Sequence, residues 1–273
     1  MVTFETQKIS PRTTRITAPG LEMMYLVEGD DRAALLDTGS GIGHLRTVVD
    51  GLTDKPVIVL LTHGHVDHAM GAAEFDTVYM NHEDDTIYVQ HSDEKFREDG
   101  LFLCPQKDQI EEGEITPALP LDAIHDMKEG DSFDLGGVHI DVYACPGHTR
   151  GILVMLIREE RTILLGDACN YLTFMHEPSC TTISEYEESL KRLKPLVAGK
   201  YDRVLLSHGG GEADLGIIDG VIGVCEDIKA GHTDDVPFGF KETQGFLAKA
   251  EIDRDVRADG GIGNIIYNKN RVF

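Results

Sequence analysis

Residues 62–71 read Thr-His-Gly-His-Val-Asp-His-Ala-Met-Gly, so three imidazoles and one carboxylate fall within six positions, His63 to His68. The preceding apolar run, residues 57–61, is typical of a buried strand. The end of a strand is where open α/β sheets usually bind ligands. Neutral imidazole and carboxylate suit a borderline cation such as zinc. Because His63 and His65 alternate while Asp67 and His68 face a neighbouring point, this loop can supply two adjacent metal positions.

The ordered pattern of these residues indicates a metal site more specifically than any single residue does. A single histidine after a strand is usually a surface residue, but four ligand-type residues in the pattern H-x-H-x-D-H are a strong signal. This pattern resembles the signature of the metallo-β-lactamase-fold superfamily. The resemblance implies an α/β fold, an αββα four-layer sandwich of two mixed β-sheets with outer helices. It also implies three further ligands downstream, in the order His, Asp, His.

The downstream sequence contains all three residues in that order. His148 lies in Pro-Gly-His-Thr, Asp167 in Gly-Asp-Ala and His208 in Ser-His-Gly, and each follows a strand-like run. His148 or Asp167 alone would be a weak signal, because core histidines and turn aspartates are common. The complete ordered set therefore carries the interpretation.

The resemblance implies a site with two divalent metal ions. One metal would take His63, His65 and His148, the other Asp67, His68 and His208, and Asp167 would bridge them. A ligand set of histidine and aspartate without cysteine fits zinc, and it is compatible with iron or manganese. A catalytic zinc lowers the pKa of its bound water to about 7. A hydroxide held between the metals would then attack an ester, lactone or thioester of a small molecule.

Three residues, one of them already a candidate ligand, are candidates for catalytic roles. Asp37 lies in Leu-Asp-Thr-Gly, an element that in the resembled family stands beside the metals, where its aspartate orients a ligand. The alternative for Asp37 is a turn or helix-capping residue. Asp67 is expected to move a proton as well as bind metal. Tyr171, just after Asp167, is a candidate donor to a developing oxyanion, and a packing tyrosine is the alternative.

Differences between this chain and particular branches of the family reduce the number of functions that the resemblance implies. β-Lactamases of this fold often carry cysteine where this chain has Asp167, and flavodiiron proteins carry glutamate where it has His65. What remains resembles glyoxalase II-like thioesterases and lactonases. Lys241, Lys249 and Arg254 are late candidates to anchor substrate carboxylates. The alternatives are an iron-dependent persulfide dioxygenase, a β-lactam or phosphodiester hydrolase, and a non-catalytic binding module.

Bulk properties limit the partners and the compartment. With 25 basic and 48 acidic residues, the net charge of −23 disfavours nucleic acid, which needs clustered Lys and Arg. We see no membrane span and no secretory signal, and the five cysteines form no C-x-x-C. We therefore expect a cytoplasmic enzyme with a small-molecule substrate, no nucleic-acid or membrane partner, and a homodimeric assembly.

The chain is expected to form one domain over residues 1–273. The irregular, charged segment 84–120 is predicted to be an insertion, either a lid over the site or an exposed decoration. A C-terminal extension is expected from about residue 234. Helices are predicted over residues 42–52, 184–193 and 212–230.

Overall fold

The computed structural model describes residues 1–240 and 243–273. The chain forms two compact units. The first contains Met1–Val142 and Met155–Glu160, and the second contains Tyr143–Val154 and Arg161–Phe273. No helix in the described part of the chain is long and apolar enough to cross a lipid bilayer. The expected single domain, with its insertion and its C-terminal extension, stays a prediction.

The first unit is built on a seven-stranded sheet whose strands follow chain order. Its strands are β1 (Glu5–Lys8), β2 (Thr13–Thr17), β3 (Met23–Glu28), β4 (Ala33–Leu36), β5 (Val57–Leu60), β6 (Val78–Met80) and β7 (His125–Asp126). The first four strands are antiparallel, whereas β4 to β7 run parallel. Leu36 pairs with Leu60, so the residues that follow β4 and β5 emerge at the same edge of the sheet.

In its described residues, the first unit also contains four α-helices and strands of a second sheet. Its helices are α1 (Leu45–Asp50), α2 (Val66–Ala69), α3 (Asp85–His91) and α4 (Glu94–Gly100), and its further strands are β8 (Ser132–Asp134) and most of β9 (His139–Ala144) and β10 (Leu153–Ile157). The core includes Leu26, Leu35, Val59 and Leu61, all fully buried. The first helix is shorter than the predicted 42–52, because Gly43 has a φ of +86°, which a right-handed helix excludes.

The second unit contains strands of two sheets, a small hairpin and two long helices. Its elements are β11 (Thr162–Leu164), β12 (Thr173–Met175), α5 (Ile183–Val197), β13 (Arg203–Leu205), β14 (Glu212–Ala213), α6 (Ile217–Ala230), β15 (Val236–Phe240), β16 (Thr243–Leu247), β17 (Glu251–Asp253), β18 (Val256–Arg257) and β19 (Ile265–Tyr267). β11 and β13 are parallel, with Leu164 beside Leu205. The C-terminal strands β15, β16 and β19 join β12 in a four-stranded sheet.

The prediction of a helix over 212–230 is wrong at its start. Glu212 and Ala213 form β14, which pairs antiparallel with β13, and the helix begins only at Ile217. Pairing with a neighbouring strand satisfies backbone groups that the local sequence could also have satisfied in a helix. The predicted helix over 184–193 is confirmed as α5. A capping box, in which Thr182 and Glu185 bond each other's backbone N–H, fixes its first turn.

Candidate metal centre

In the first unit, the loop after β5 gathers imidazoles within contact of one another. His63, His65 and His68 are all buried, whereas Asp67 is partly exposed. The Nε2 of His63 lies 3.1 Å from the Nδ1 of His65. The ring centroids of His63 and His68 are 4.1 Å apart. The short helix α2 begins directly after His65, so the loop and the first turn of the helix together fix these side chains.

The carboxylate of Asp37 organises this loop from the end of β4. Its Oδ1 accepts the backbone N–H of Thr62 at 2.7 Å, and its Oδ2 accepts the Thr62 hydroxyl at 2.8 Å. The same Oδ2 accepts the Nδ1–H of His68 at 2.9 Å. Asp37 is buried and has a φ of +65°, a left-handed conformation that non-glycine residues seldom adopt. The predicted orienting role of Asp37 therefore has a clear geometric basis, with His68 as the residue oriented.

Thr62 extends the influence of Asp37 to a second histidine. Because the Thr62 hydroxyl donates to Asp37, its oxygen accepts the Nδ1–H of His63, at 3.0 Å. In this arrangement both His63 and His68 carry their ring proton on Nδ1, so Nε2 is the nitrogen with a lone pair that could bind a metal. Sequence reasoning missed Thr62, although its position directly before the first histidine was a signal for a contact with that ring.

Helix α3 contacts the same loop, which sequence reasoning did not foresee. The buried carboxylate of Asp84, just before α3, accepts the backbone N–H of Gly64 at 3.1 Å. A Cβ on Gly64 would lie 3.1 Å from Ile87 and 3.2 Å from Tyr88, so this glycine allows the helix to approach. At the end of α3, His91 accepts the backbone N–H of Val66. The start of the predicted insertion therefore packs on the histidine loop.

The second unit brings the other three predicted ligands together. An Oδ2 of Asp167 lies 3.8 Å from the Nε2 of His148 and 3.3 Å from the Nε2 of His208. The Nδ1–H of His148 donates to the backbone oxygen of Phe174 at 2.7 Å, so Nε2 is again the nitrogen that could bind a metal. Asp167 and His208 follow β11 and β13 by the same number of residues, and these strands are parallel and in register. The predicted placement of these ligands just beyond strand ends is confirmed.

Helix α5 supports two of these ligand loops through one side chain. Tyr186 is fully buried, and its hydroxyl donates to the backbone oxygen of Ala168 at 2.7 Å, beside Asp167. Its ring lies against Gly147, where a Cβ would stand only 2.3 Å from the ring carbon Cδ2. Gly147 directly precedes His148. Tyr186 therefore fixes the backbone on both sides of the second unit's ligand set, a role that the sequence did not reveal.

The other predicted site residues have different surroundings. The Tyr171 hydroxyl donates to Asp214 Oδ2 at 2.8 Å and accepts the Asp214 N–H at 3.0 Å. Burial, together with the Asp214 carboxylate, raises the pKa of Tyr171. Its role as an oxyanion donor stays a prediction. Lys249 bonds Asp227 and the His232 backbone, Arg254 is exposed, and Lys241 lies outside the described residues.

The chemistry of these side chains fits divalent metal ions. Two nitrogens that each lie about 2.0–2.1 Å from one tetrahedral zinc are separated by roughly 3.3 Å. The 3.1 Å between His63 Nε2 and His65 Nδ1 is close to that spacing. In His63, His68 and His148 a protein oxygen takes the Nδ1–H, which leaves Nε2 for coordination. A hydrogen bond from the second ring nitrogen to a protein oxygen is the usual arrangement around metal-binding histidines.

Residues 18–208 match the sequence model of the Metallo-beta-lactamase superfamily. The chain belongs to this superfamily. It is therefore an enzyme of the hydrolase class, with the α/β sandwich fold of mixed sheets and helices, and both predictions are confirmed. The metallo-β-lactamase fold implies binding of divalent metal, for which the histidines and aspartates described above are candidate ligands.

Relatives of known name share moderate similarity with this metallo-β-lactamase-fold chain. Acyl-coenzyme A thioesterase MBLAC2 of Bos taurus is 24% identical over 206 residues, which cover 68% of this chain and 72% of that protein. The metallo-beta-lactamase fold-containing protein ST1585 of Sulfurisphaera tokodaii is 25% identical over 213 residues, 70% of this chain and 74% of that protein. The mono-zinc crystal structure of metallo-β-lactamase FIM-1 from Pseudomonas aeruginosa superimposes with a TM-score of 0.60 at 18% identity, covering 83% of this chain and 96% of that one.

Proposed function

We propose that this chain uses two divalent metal ions, zinc in the first place, to hydrolyse a thioester, ester or lactone of a small molecule. The observation that carries the proposal is the orientation of the imidazoles. Asp37, Thr62 and the Phe174 backbone each take a histidine Nδ1–H, so that three histidines present Nε2. A structural histidine buried for packing does not need that arrangement, whereas a metal ligand does.

The proposed division of ligands follows the family order. One metal would be held by His63, His65 and His148 and the other by Asp67, His68 and His208, and Asp167 would be shared between them. Bound metal of this kind supplies hydroxide at neutral pH and polarises the scissile carbonyl. In the second unit, Asp167 already lies near His148 and His208, in keeping with the bridging role.

Residues of the chain would handle orientation and proton movement. Asp37 holds His68 directly and His63 through Thr62, so it keeps both rings in the coordinating tautomer. Asp67 is partly exposed, and its Oδ2 lies 3.6 Å from His68 Nε2. A carboxylate in that position can pass a proton to the leaving group while staying in contact with solvent.

Among the three carbonyl classes, we propose thioesters as the first substrate class to test. The similarity to an acyl-coenzyme A thioesterase over about two thirds of the chain supports this choice. Aspartate rather than cysteine at position 167 separates the chain from the β-lactamases that carry cysteine there. The net charge of −23 supports a small-molecule substrate over nucleic acid.

We also propose a cytoplasmic location and a homodimeric assembly without membrane partners. All five cysteines are buried free thiols, which suits a reducing compartment. Size-exclusion chromatography with light scattering would test the assembly, and a monomer at micromolar concentration would contradict it.

A hydrolysis panel on zinc-reconstituted protein tests the function. It contains an acyl-coenzyme A, a glutathione thioester, a homoserine lactone, an aryl ester, a β-lactam and a phosphodiester, each with and without chelator. We expect chelator-sensitive cleavage of a thioester, ester or lactone and its loss in His65→Ala. Cleavage of the β-lactam or phosphodiester alone, or oxygen consumption with a persulfide by iron-loaded protein, would contradict the proposal and favour another class. His82→Ala is the matched control, because His82 pairs with Asp85 instead of the histidine loop.

A further inference from the structure

We infer that His91, at the end of α3, is a positioning residue for the metal ligand His65. The inference rests on the proposed function, because it concerns how one of the proposed ligands is held. His91 lies outside the H-x-H-x-D-H pattern and in the segment that the sequence analysis treated as an insertion. Two contacts, one with a ring and one with the backbone, connect it to the histidine loop.

The first contact is a ring stack. The imidazoles of His65 and His91 lie with their centroids 4.7 Å apart and their planes 17° from parallel. A flat ring held against another flat ring cannot rotate about its own Cβ–Cγ bond without losing the contact. Because that rotation decides where Nδ1 points, the stack restrains the His65 Nδ1 near the Nε2 of His63.

The second contact fixes the backbone beside the same ligand. The Nδ1 of His91 accepts the N–H of Val66 at 3.0 Å. Val66 is the first residue of α2, whose N-terminal N–H groups have no partner within the helix. The N-cap residue of α2 is His65, and its own side chain does not bond these N–H groups. His91 therefore takes the place of a capping side chain and holds the backbone immediately after His65.

His91 is itself held on its other side. The ring of Phe96, in α4, stacks on His91 with a centroid distance of 4.3 Å and an interplanar angle of 25°. Asp93 caps α4 by accepting the Phe96 N–H at 3.0 Å, which sets the first turn from which Phe96 projects. A continuous stack of three rings therefore runs from the metal ligand into the α3–α4 segment. This segment is then part of the support of the metal centre.

These contacts show that different residues orient different histidines of the loop. Asp37 and Thr62 orient His68 and His63 by hydrogen bonds from the sheet side. His91 orients His65 by stacking and by the Val66 bond from the helix side. Removing a residue that orients a metal ligand typically weakens metal binding by about 10–100-fold. The loss should therefore appear in zinc affinity as well as in activity.

Three variants of the 273-residue chain separate the two contacts. His91→Ala removes both, His91→Phe keeps the ring stack alone, and His91→Asn keeps an oxygen near the Nδ1 position to accept the Val66 N–H. His82→Ala is again the control, since it removes a histidine from the preceding turn without touching the loop. Zinc affinity is measured by chelator competition, the visible spectrum of the Co²⁺-substituted protein reports ligand geometry, and thermal unfolding of the metal-free protein reports folding.

We expect His91→Ala to bind zinc about 10–100-fold more weakly with an altered Co²⁺ spectrum, and His91→Phe and His91→Asn each to recover part of the affinity. Wild-type affinity and spectrum in His91→Ala would overturn the inference and leave the proposed function standing. If His91→Ala does not fold, wild-type affinity in both His91→Phe and His91→Asn overturns it. A wild-type protein that binds no zinc would overturn the proposed function itself.

Discussion

At the scale of single residues, the hydrogen bonds of Asp37 explain how a buried carboxylate in an uncommon backbone conformation is tolerated. Its two oxygens accept three hydrogen bonds, two from Thr62 and one from His68. A carboxylate buried to this extent is unfavourable unless its oxygens are bonded. The cost of burying Asp37 and of its left-handed backbone is therefore offset by contacts that orient two proposed metal ligands.

Replacing Asp37 tests this role directly. Asp37→Asn keeps the size of the side chain, but its amide nitrogen cannot accept a hydrogen bond, so it cannot bond all three donors. We expect zinc affinity and hydrolytic activity to fall by about 10–100-fold, measured by chelator competition and by initial rates. Asp50→Asn, an exposed change in α1, is the control. Unchanged zinc affinity in Asp37→Asn would contradict this role and show that the carboxylate only stabilises the turn.

Some of the site residues could be predicted from the sequence, and others could not. The H-x-H-x-D-H pattern and the family's downstream order of His, Asp and His led to the prediction of His63, His148, Asp167 and the other candidate ligands. Thr62 and His91 were missed, because their roles depend on contacts between elements that one sequence does not reveal. A threonine before a motif and a histidine at a helix end are both common without such a function.

At the scale of elements, α5 and the loops on either side of it form one support. Tyr186 contacts the loop of Gly147 through its ring and the loop of Ala168 through its hydroxyl. The second unit's ligands therefore depend on the packing of a helix that contains none of them. The helix was predicted over residues 184–193, but not which of its side chains would face the site.

Gly147→Ala tests this support. The added methyl would stand 2.3 Å from the Tyr186 ring, so the loop or the helix must move. We expect a loss of about 1–3 kcal/mol in the free energy of unfolding, with a larger relative loss of activity. Gly223→Ala in α6 is the matched control, because a Cβ there meets no atom within 4 Å and alanine favours a helix. Equal stability of the two variants by urea unfolding would contradict the proposed packing.

The same scale explains where the element predictions failed. The strand β14 has only two residues, Glu212 and Ala213, so its local sequence carries little strand signal. Long helices with regular apolar spacing, and buried strands such as β5, carry their own signal and were predicted. The fold class came from the resemblance, since periodicity alone does not specify how sheets and helices are layered.

At the scale of the whole molecule, buried groups that titrate at high pH set a limit on alkaline stability. Burial raises the pKa of Cys145, Cys180 and Tyr88 to about 12 in each case. The ordinary pKa is 9.0 for the thiols and 10.0 for the phenol. The folded state thus holds these protons more tightly than the unfolded chain does.

Stability should therefore fall with rising pH. Well below pH 9 every such group is protonated in both states, so this contribution to stability is fully present. Between pH 9 and about 12 the unfolded chain releases its protons first, so each buried thiol costs roughly 1.4 kcal/mol per pH unit. We expect the urea midpoint to fall between pH 8 and pH 10.5, and to fall less in Cys145→Ala. A midpoint independent of pH, or one that responds equally in this variant, would contradict the assignment.

The central proposal is that the histidines and aspartates of the predicted ligand set bind two metal ions. The most direct measurement is the zinc content of purified, reconstituted protein by mass spectrometry, for wild type, His148→Ala and Asp167→Ala. We expect about two zinc ions per wild-type chain and fewer in both variants, which should remain folded by circular dichroism. A wild-type chain without zinc, or folded variants that keep both ions, would contradict it.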